Sequence, residues 1–239
     1  MNKLNIFLLT MFVAVNLQTI TFAEKQSPTA QSSTTPKEAE IAKSGYLGSD
    51  EVYDRLVETK TKNGKVVYRW RDSHLTKENF NSVLIEDVVL YPAPEPNEQV
   101  SEDTLRRISA YTTNLLKEKI GAIVPLADGP GPGVLVMQPA ITGVVIQTEG
   151  MKAYEILPVA AVFGAAKAAA GKRAQDVFVR AEVKFVDSAD RALVGAAMRR
   201  VEGEELKGKK DQLEVEDMHD SLEHSTTEAA SYIKHVFSE

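Results

Sequence analysis

The sequence has no cysteine among its 239 residues. It therefore cannot form disulfides, thiolate metal sites or a cysteine nucleophile, and it offers no cysteine to carry a lipid. It also lacks an excess of basic residues, because 28 Lys and Arg stand against 34 Asp and Glu, a net charge of −6. A general nucleic-acid partner is disfavoured, since neutralising phosphates requires a basic face.

Long apolar runs are scarce as well. The run at residues 6–15 follows Lys3 and is well short of the ~20 residues that a membrane-spanning helix needs. A basic start, a short apolar core and small residues at Thr21 and Ala23 are typical of a secretory signal peptide. We expect residues 1–23 to be this signal and the mature protein to be exported, and periplasmic in a Gram-negative host. An uncleaved membrane anchor is the alternative.

The mature chain begins with a segment that has almost nothing to bury. Residues 24–43 are rich in Ser, Thr, Gln, Pro and Ala, which predicts a flexible linker. The residues after it, 44–239, have the length and composition of a single domain.

Apolar and polar residues alternate most regularly in residues 176–200. Alternation predicts a strand with one buried and one solvated face. The apolar face comprises Val177, Val179, Ala181, Val183 and Phe185, and the polar face comprises Arg180, Glu182 and Lys184. A polar turn at residues 187–191 and a second alternating limb from Leu193 predict a β-hairpin.

Three further strands are indicated before this hairpin. Residues 65–71 follow the turn dipeptide Asn63-Gly64 and are expected to form an edge strand. Residues 83–90 form the next predicted strand, and residues 134–148 the third. Pro139 interrupts the third strand, which suggests a bulge or an edge position.

Two amphipathic helices complete the predicted fold. Ser101 caps the first, whose apolar face runs from Leu105 to Ile120, and Gly121 ends it. The second covers residues 217–237. We predict an α+β domain in which a mainly antiparallel sheet packs both helices on one face. The expected contacts join Val177, Val179, Val183 and Phe185 to Leu105, Ile108, Leu115, Ile233 and Phe237.

Histidines and acids provide one weak candidate for a metal-dependent hydrolase. His219 and Glu223 are one helical turn apart, which could place two metal ligands on one side of a helix. A solvated helix surface is favoured, because a metal site needs a third ligand and groups that orient the ligands. The remaining histidines, which suggest no site, are His74, His224 and His235.

The other reactive-looking residues also have structural explanations. Asp187, Asp190 and Arg191 lie in the hairpin turn, where aspartate side chains commonly bond backbone amides. The loop at residues 128–133 is rich in glycine, but its two prolines remove amides that a phosphate would need. Walker, nucleophile-elbow and dinucleotide motifs are absent. We therefore expect no catalytic, cofactor-binding or metal-binding residues.

Two segments are candidate surfaces for partners. Residues 55–71 carry six basic residues together with Tyr68 and Trp70, a composition that could bind an anionic headgroup or glycan. A basic, solvated strand edge is the favoured interpretation. Residues 158–171 are rich in small residues and contain Lys167. They are too short to span a bilayer and either cover the sheet or dock on a membrane or a partner.

Several short segments together resemble one protein family. They are Ser44-Gly45-Tyr46-Leu47, Ala140-Ile141-Thr142, the small-residue segment around Gly164, and residues 182–187. The sequence resembles an uncharacterised group of bacterial envelope lipoproteins, the domain of unknown function 3313. The resemblance implies an envelope location and supplies no catalytic residues. Members usually carry a lipid-modified cysteine after the signal, and a Thr-Gly-Glu type turn where this chain has Ala189-Asp190-Arg191.

Three functional hypotheses follow. The leading one is a non-catalytic, exported interaction or accessory module of the cell envelope, with an envelope protein or a membrane surface as its partner. The second is a peripheral membrane protein that docks through residues 158–171 and the basic segment at residues 55–71. The third is a small metal-dependent hydrolase centred on His219 and Glu223.

Overall fold

A computed structural model describes residues 43–94, 97–148 and 174–238. The predicted signal at residues 1–23, the linker at residues 24–43 apart from Lys43, and the segment at residues 158–171 lie outside the described residues. Those that are described form one mixed sheet of seven strands and three α-helices. The architecture confirms the predicted α+β class with a mostly antiparallel sheet.

The sheet has the strand order β1-β2-β7-β6-β5-β3, with β4 also paired to β5. The strands β3 and β4 run parallel to β5, and the other neighbours are antiparallel. The strand bounds are Val57–Lys60 (β1), Val66–Arg71 (β2), Ser82–Ile85 (β3), Val89–Leu90 (β4), Val134–Thr148 (β5), Gln175–Asp187 (β6) and Leu193–Glu202 (β7).

The predicted hairpin is confirmed as β6 and β7. In its turn, Asp187 Oδ1 accepts a hydrogen bond from the Ala189 amide and Asp190 Oδ1 accepts one from the Ala192 amide, both at 2.8 Å. Arg191 has a φ of +63°, the left-handed backbone that closes the turn. The aspartates therefore have the turn role that the sequence predicted.

Two strand predictions are wrong in detail. The strand at residues 65–71 is not an edge, because β2 pairs with β7 on one side and with β1 on the other. The four residues of β1 are mostly exposed and polar, so they carry little of the apolar pattern that marks a strand. Residues 83–90 form two strands rather than one, since residues 86–88 separate β3 from β4.

Pro139 lies in the interior of the sheet rather than at an edge. The strand β3 pairs with residues 134–137 of β5, and β4 pairs with residues 140–141. Pro139 therefore lies in the gap between these two pairings, where its missing N–H costs no hydrogen bond to β3 or β4. The register of β5 against β6 shifts nearby, between Ile141 and Gly143.

The two long helices, α2 (Glu102–Gly121) and α3 (His219–Val236), lie on one face of the sheet, as predicted. The Ser101 hydroxyl accepts a hydrogen bond from the Thr104 amide at 2.9 Å and so caps α2. A 3₁₀ turn, Glu216–Met218, precedes α3. The core joins the residues predicted to meet: Val177, Val179, Phe185, Leu105, Ile108, Leu115 and Ile233 are buried in it, and Val183 and Phe237 pack against it.

The face of β6 predicted to be solvated is largely covered, because Arg180 and Glu182 are buried and Lys184 is half-buried, which corrects the prediction. Arg180 is 2% exposed and Glu182 is 1% exposed. Residues 44–56, called here the N-terminal segment, cover this face and include the short helix α1 (Asp50–Asp54). The apolar residues buried there are Leu47, Tyr53, Leu56, Tyr68, Ala196 and Met198.

Candidate functional site

A buried carboxylate lies at the centre of the covered face. Glu182 Oε1 accepts a hydrogen bond from the Thr142 hydroxyl at 2.6 Å and lies 3.2 Å from Arg180 Nε. Its Oε2 accepts hydrogen bonds from the Ser44 and Tyr53 hydroxyls, both at 2.9 Å. These five residues form what is called here the Glu182 network. It joins two strands of the sheet to the N-terminal segment.

A local irregularity in the sheet positions two members of this network. Ala140 pairs with Glu182 and Gly143 pairs with Arg180, so Thr142 is the extra residue at the register shift. Arg180 donates to the Thr142 hydroxyl at 2.9 Å and to the Thr142 carbonyl at 3.3 Å. The guanidinium therefore bonds both the side chain and the backbone carbonyl of the bulge residue.

The N-terminal segment is fixed to this face through its backbone. The Ser44 hydroxyl accepts a hydrogen bond from the Tyr46 amide at 3.0 Å, and the Tyr53 hydroxyl accepts one from the Leu47 amide at 3.1 Å. Gly45 has a φ of +86°, a conformation that favours glycine. The hydroxyls that bind Glu182 therefore also hold the turn at the start of the N-terminal segment.

Tyr46 extends the contact beyond the network. Its hydroxyl donates to the Gln138 carbonyl at 3.2 Å, and Lys184 Nζ lies 4.4 Å from its ring centroid. Burial, reinforced by the nearby carboxylates of Glu86 and Glu182, raises the pKa of Tyr46 to about 12. Tyr46 therefore stays neutral across the physiological range.

The chemistry of the Glu182 network favours positioning over catalysis. Each carboxylate oxygen already has two partners, which fills the roughly four acceptor sites of a carboxylate. Burial lowers the pKa of Arg180, although Glu182 opposes that effect. Burial likewise raises the pKa of Tyr53. A saturated and inaccessible carboxylate has no free site at which to take a proton from a substrate.

The structure brings His219 and Glu223 together, but with partners from the facing helix. Tyr111 of α2 lies 2.6 Å from His219 Nε2, and the two rings stack with centroids 4.9 Å apart. Lys119 donates to Glu223 Oε2 at 2.6 Å, and this bond holds the pKa of Glu223 below its usual value. In the part of the chain that the structure describes, no three His, Cys, Asp or Glu side chains converge as metal ligands. The pair therefore links α2 to α3.

The basic residues of the segment 55–71 do not form one surface. Arg55 stacks over Trp70 at 5.1 Å, Lys65 pairs with Glu202 at 2.5 Å, and Arg71 donates to the Leu75 carbonyl at 3.0 Å. Arg69 lies on the helix-facing side of β2, over the Tyr232 ring at 4.8 Å. Tyr68, one of the two aromatic residues expected in a headgroup site, is 2% exposed.

The remaining histidines lie apart from the Glu182 network. His74 Nε2 is 3.2 Å from Asp187 Oδ2 beside the hairpin turn. His224 Nε2 is 3.4 Å from Glu228 Oε1 on α3. His235 is in the last turn of α3. His219, His224 and His235 therefore share α3, and His74 lies apart from them beside the hairpin turn.

Sequence analysis missed the Glu182 network because alternation alone assigned Arg180 and Glu182 to a solvated face. A usable signal was nevertheless present in the segments that carry the family resemblance. Ser44, Thr142 and Glu182 belong to three of those segments and are in direct contact. The short motifs therefore have a structural explanation, in which they build one buried polar contact.

Comparisons with known proteins agree with the resemblance noted from the sequence. The chain is 32% identical over 189 residues to the uncharacterized lipoprotein YdcL of Escherichia coli K12, covering 79% of this chain and 84% of YdcL. Among solved structures, a PelC dodecamer from Paraburkholderia phytofirmans matches 68% of this chain and 96% of its own, with 10% identity and a TM-score of 0.34.

Within the ranges described, no helix combines the length and apolar character that crossing a bilayer requires. The profile of one family, described as "Protein of unknown function (DUF3313)", matches residues 42–228, which include all the residues of the Glu182 network. Both this match and the similarity to YdcL extend over most of the chain. The chain therefore belongs to the DUF3313 family, whose relatives found here are uncharacterised lipoproteins.

Proposed function

We propose that this protein is an exported, periplasmic and non-catalytic module that serves the cell envelope by binding another envelope protein. The proposal rests first on Glu182, the most deeply buried acid of the described residues, whose oxygens are fully used in fixing the N-terminal segment. The similarity to lipoproteins supports an envelope location. The signal-like residues 1–23 support export.

The distribution of polar contacts supports a binding role over an enzymatic one. Glu182 joins the N-terminal segment to the sheet, and Glu223 joins α2 to α3 through Lys119. Glu228 on α3 pairs with Arg199 of β7 at 2.8 Å. These acids each connect separate elements of the fold, which is a structural role and not a catalytic one.

Fractionation and crosslinking of the tagged protein in its own host test this function. We expect a mature protein that starts at Glu24, is recovered with the periplasm, and crosslinks reproducibly to one envelope protein. A chain that lacks residues 2–23 provides the control and should remain in the cytoplasm. A normally processed protein that stays monomeric and partner-free in gently solubilised envelopes would contradict the proposal.

Liposomes separate this proposal from membrane docking. The mature protein should remain in the supernatant when anionic liposomes are sedimented at physiological salt. Sedimentation with the liposomes would instead favour the alternative in which residues 158–171 dock on a membrane. If the wild-type protein shows a hydrolase activity and the His219→Ala, Glu223→Ala double variant loses it, that result would favour the hydrolase alternative.

A further inference from the structure

An apolar cavity of about 120 Å³ lies between the sheet and the two long helices. It crosses β2, β7, β6 and β5, a span of roughly 14 Å at about 4.8 Å for each strand spacing. Most of its lining is aliphatic or aromatic. Representative residues are Val67, Val179, Val183, Ala197, Leu116 and Ile233.

The lining also includes a cationic group. Arg69 on β2 and Arg199 on β7 share the helix-facing side of adjacent strands, where Arg69 pairs with Ala197 and Arg199 with Val67. Arg199 forms the ion pair with Glu228 at 2.8 Å. This local group therefore combines two guanidinium groups with one carboxylate and carries excess positive charge.

Arg69 lacks an acidic partner among the described residues. The Arg69 guanidinium lies over the Tyr232 ring, and no carboxylate of the described residues lies within 4.0 Å of that guanidinium. The Nε atoms of Arg69 and Arg199 are both buried without a hydrogen-bond acceptor. Burial lowers the pKa of Arg69, and Arg199 adds to this effect while Tyr232 and Glu228 oppose it. Buried N–H groups ordinarily have an acceptor, so the two unpartnered Nε atoms call for an additional one.

We propose that the cavity binds a fatty carboxylate, with its hydrocarbon tail between the helices and the sheet and its carboxylate at Arg69 and Arg199. The cavity can hold an apolar group of about six carbons, because an engineered apolar cavity of comparable volume, about 150 Å³, binds benzene. Guanidinium groups match a carboxylate in both charge and planar geometry. The ligand would supply the acceptor that the two buried Nε–H groups lack.

Calorimetric titration of the full mature chain with octanoate tests this site. We expect saturable binding of one octanoate, weaker binding of 1-octanol, and no binding of acetate at the same concentrations. Arg69→Gln should weaken octanoate at least about tenfold, the loss expected for one charge-assisted hydrogen bond. Arg71→Gln removes the same charge from the same strand outside the cavity lining and should leave the affinity unchanged.

A second variant tests the position of the tail. Ala229 of α3 lines the cavity, so Ala229→Leu should fill it and abolish binding while helix content is retained. If that variant does not fold, Ala197→Leu fills the same cavity from the sheet side. The proposal is overturned if octanoate does not bind at millimolar concentration, if Arg69→Gln and Arg71→Gln bind equally, or if a folded, filled variant still binds.

Discussion

Removing the Glu182 carboxylate should destabilise the domain more than removing any exposed acid. In Glu182→Ala, the guanidinium of Arg180 loses its counter-charge, and the hydroxyls of Ser44, Tyr53 and Thr142 lose an acceptor. Removing one partner of a buried pair costs about 3–5 kcal/mol, because an uncompensated charge remains inside. This is a large fraction of the 5–15 kcal/mol by which domains are typically stable.

Denaturant unfolding measures this cost with two separate signals. Far-ultraviolet circular dichroism reports the helices, and fluorescence reports Trp70, the single tryptophan of the sequence. Trp70 packs beside the N-terminal segment, so its emission should change first if that segment detaches before the core unfolds. The matched control is Glu202→Ala, because Glu202 pairs with Lys65 on the surface, where its side chain is 44% exposed. Such exposed pairs contribute about 0–1 kcal/mol.

A double-mutant cycle separates the ion pair from general damage to the network. Arg180→Met removes the cation, and the double variant removes both charges together. If the two groups stabilise each other, the double variant should lose less stability than the sum of the single variants. Glu182→Ala losing no more stability than Glu202→Ala, or strictly additive losses, would refute the reasoning.

Three further predictions concern the core, a glycine and a tyrosine. Phe185→Ala should lower the free energy of unfolding by about 3–5 kcal/mol, because Phe185 is 3% exposed in the core, and a thermal shift too small to measure would contradict that. Gly203→Ala should cost about 1–3 kcal/mol in denaturant unfolding, since a Cβ there would meet a buried methionine sulfur and a backbone oxygen at 3.0 Å, whereas Gly208→Ala, with nothing within 4 Å, should be near neutral. The pKa of Tyr46 rises from 10.0 to about 12 on folding. The contribution of its neutral hydroxyl to the free energy of unfolding is therefore complete below pH 10 and is lost as the pH rises toward 12. After allowance for solvent screening we expect a loss of about 1 kcal/mol over this range. Thermal melts between about pH 9 and 12 should show a shallower decline in melting temperature for Tyr46→Phe than for the wild type. Equal declines would contradict this prediction.

The elements with complete local signals were predictable from the sequence. The hairpin of β6 and β7 combines strict alternation with a turn whose aspartates bond their own backbone. The helix α2 combines a Ser101 cap with an apolar stripe of helical period. In both cases the signal lies within a few residues, so no distant contact is needed to recognise it.

The burial of Arg180 and Glu182 depends on a distant contact and was not predictable in the same way. Alternation separates the two faces of a strand, but it does not show what covers each face. The covering residues, Ser44 and Tyr53, are more than a hundred positions away in the sequence, so no pattern within β6 points to them. The short strand β1 escaped notice for a related reason, since its exposed residues have no apolar pattern.

The candidate sites show the same division. Helical spacing correctly placed His219 near Glu223. It could not show that Tyr111 and Lys119 of the other helix form hydrogen bonds with them. The pairing of β2 with β7, which places Arg69 beside Arg199, is also a tertiary property. A polar residue on a predicted surface can therefore become part of a buried contact without any local sign.

Hydrogen–deuterium exchange at the start of the domain tests most directly whether the N-terminal segment closes the second face of the sheet. The amides of Tyr46 and Leu47 bond the Ser44 and Tyr53 hydroxyls, which in turn bind Glu182. We predict slow exchange at both amides in the wild-type protein, and rapid exchange in Glu182→Ala while the amides of β6 remain protected. Exchange at the rate of an unstructured peptide in the wild-type protein would contradict the structure described above.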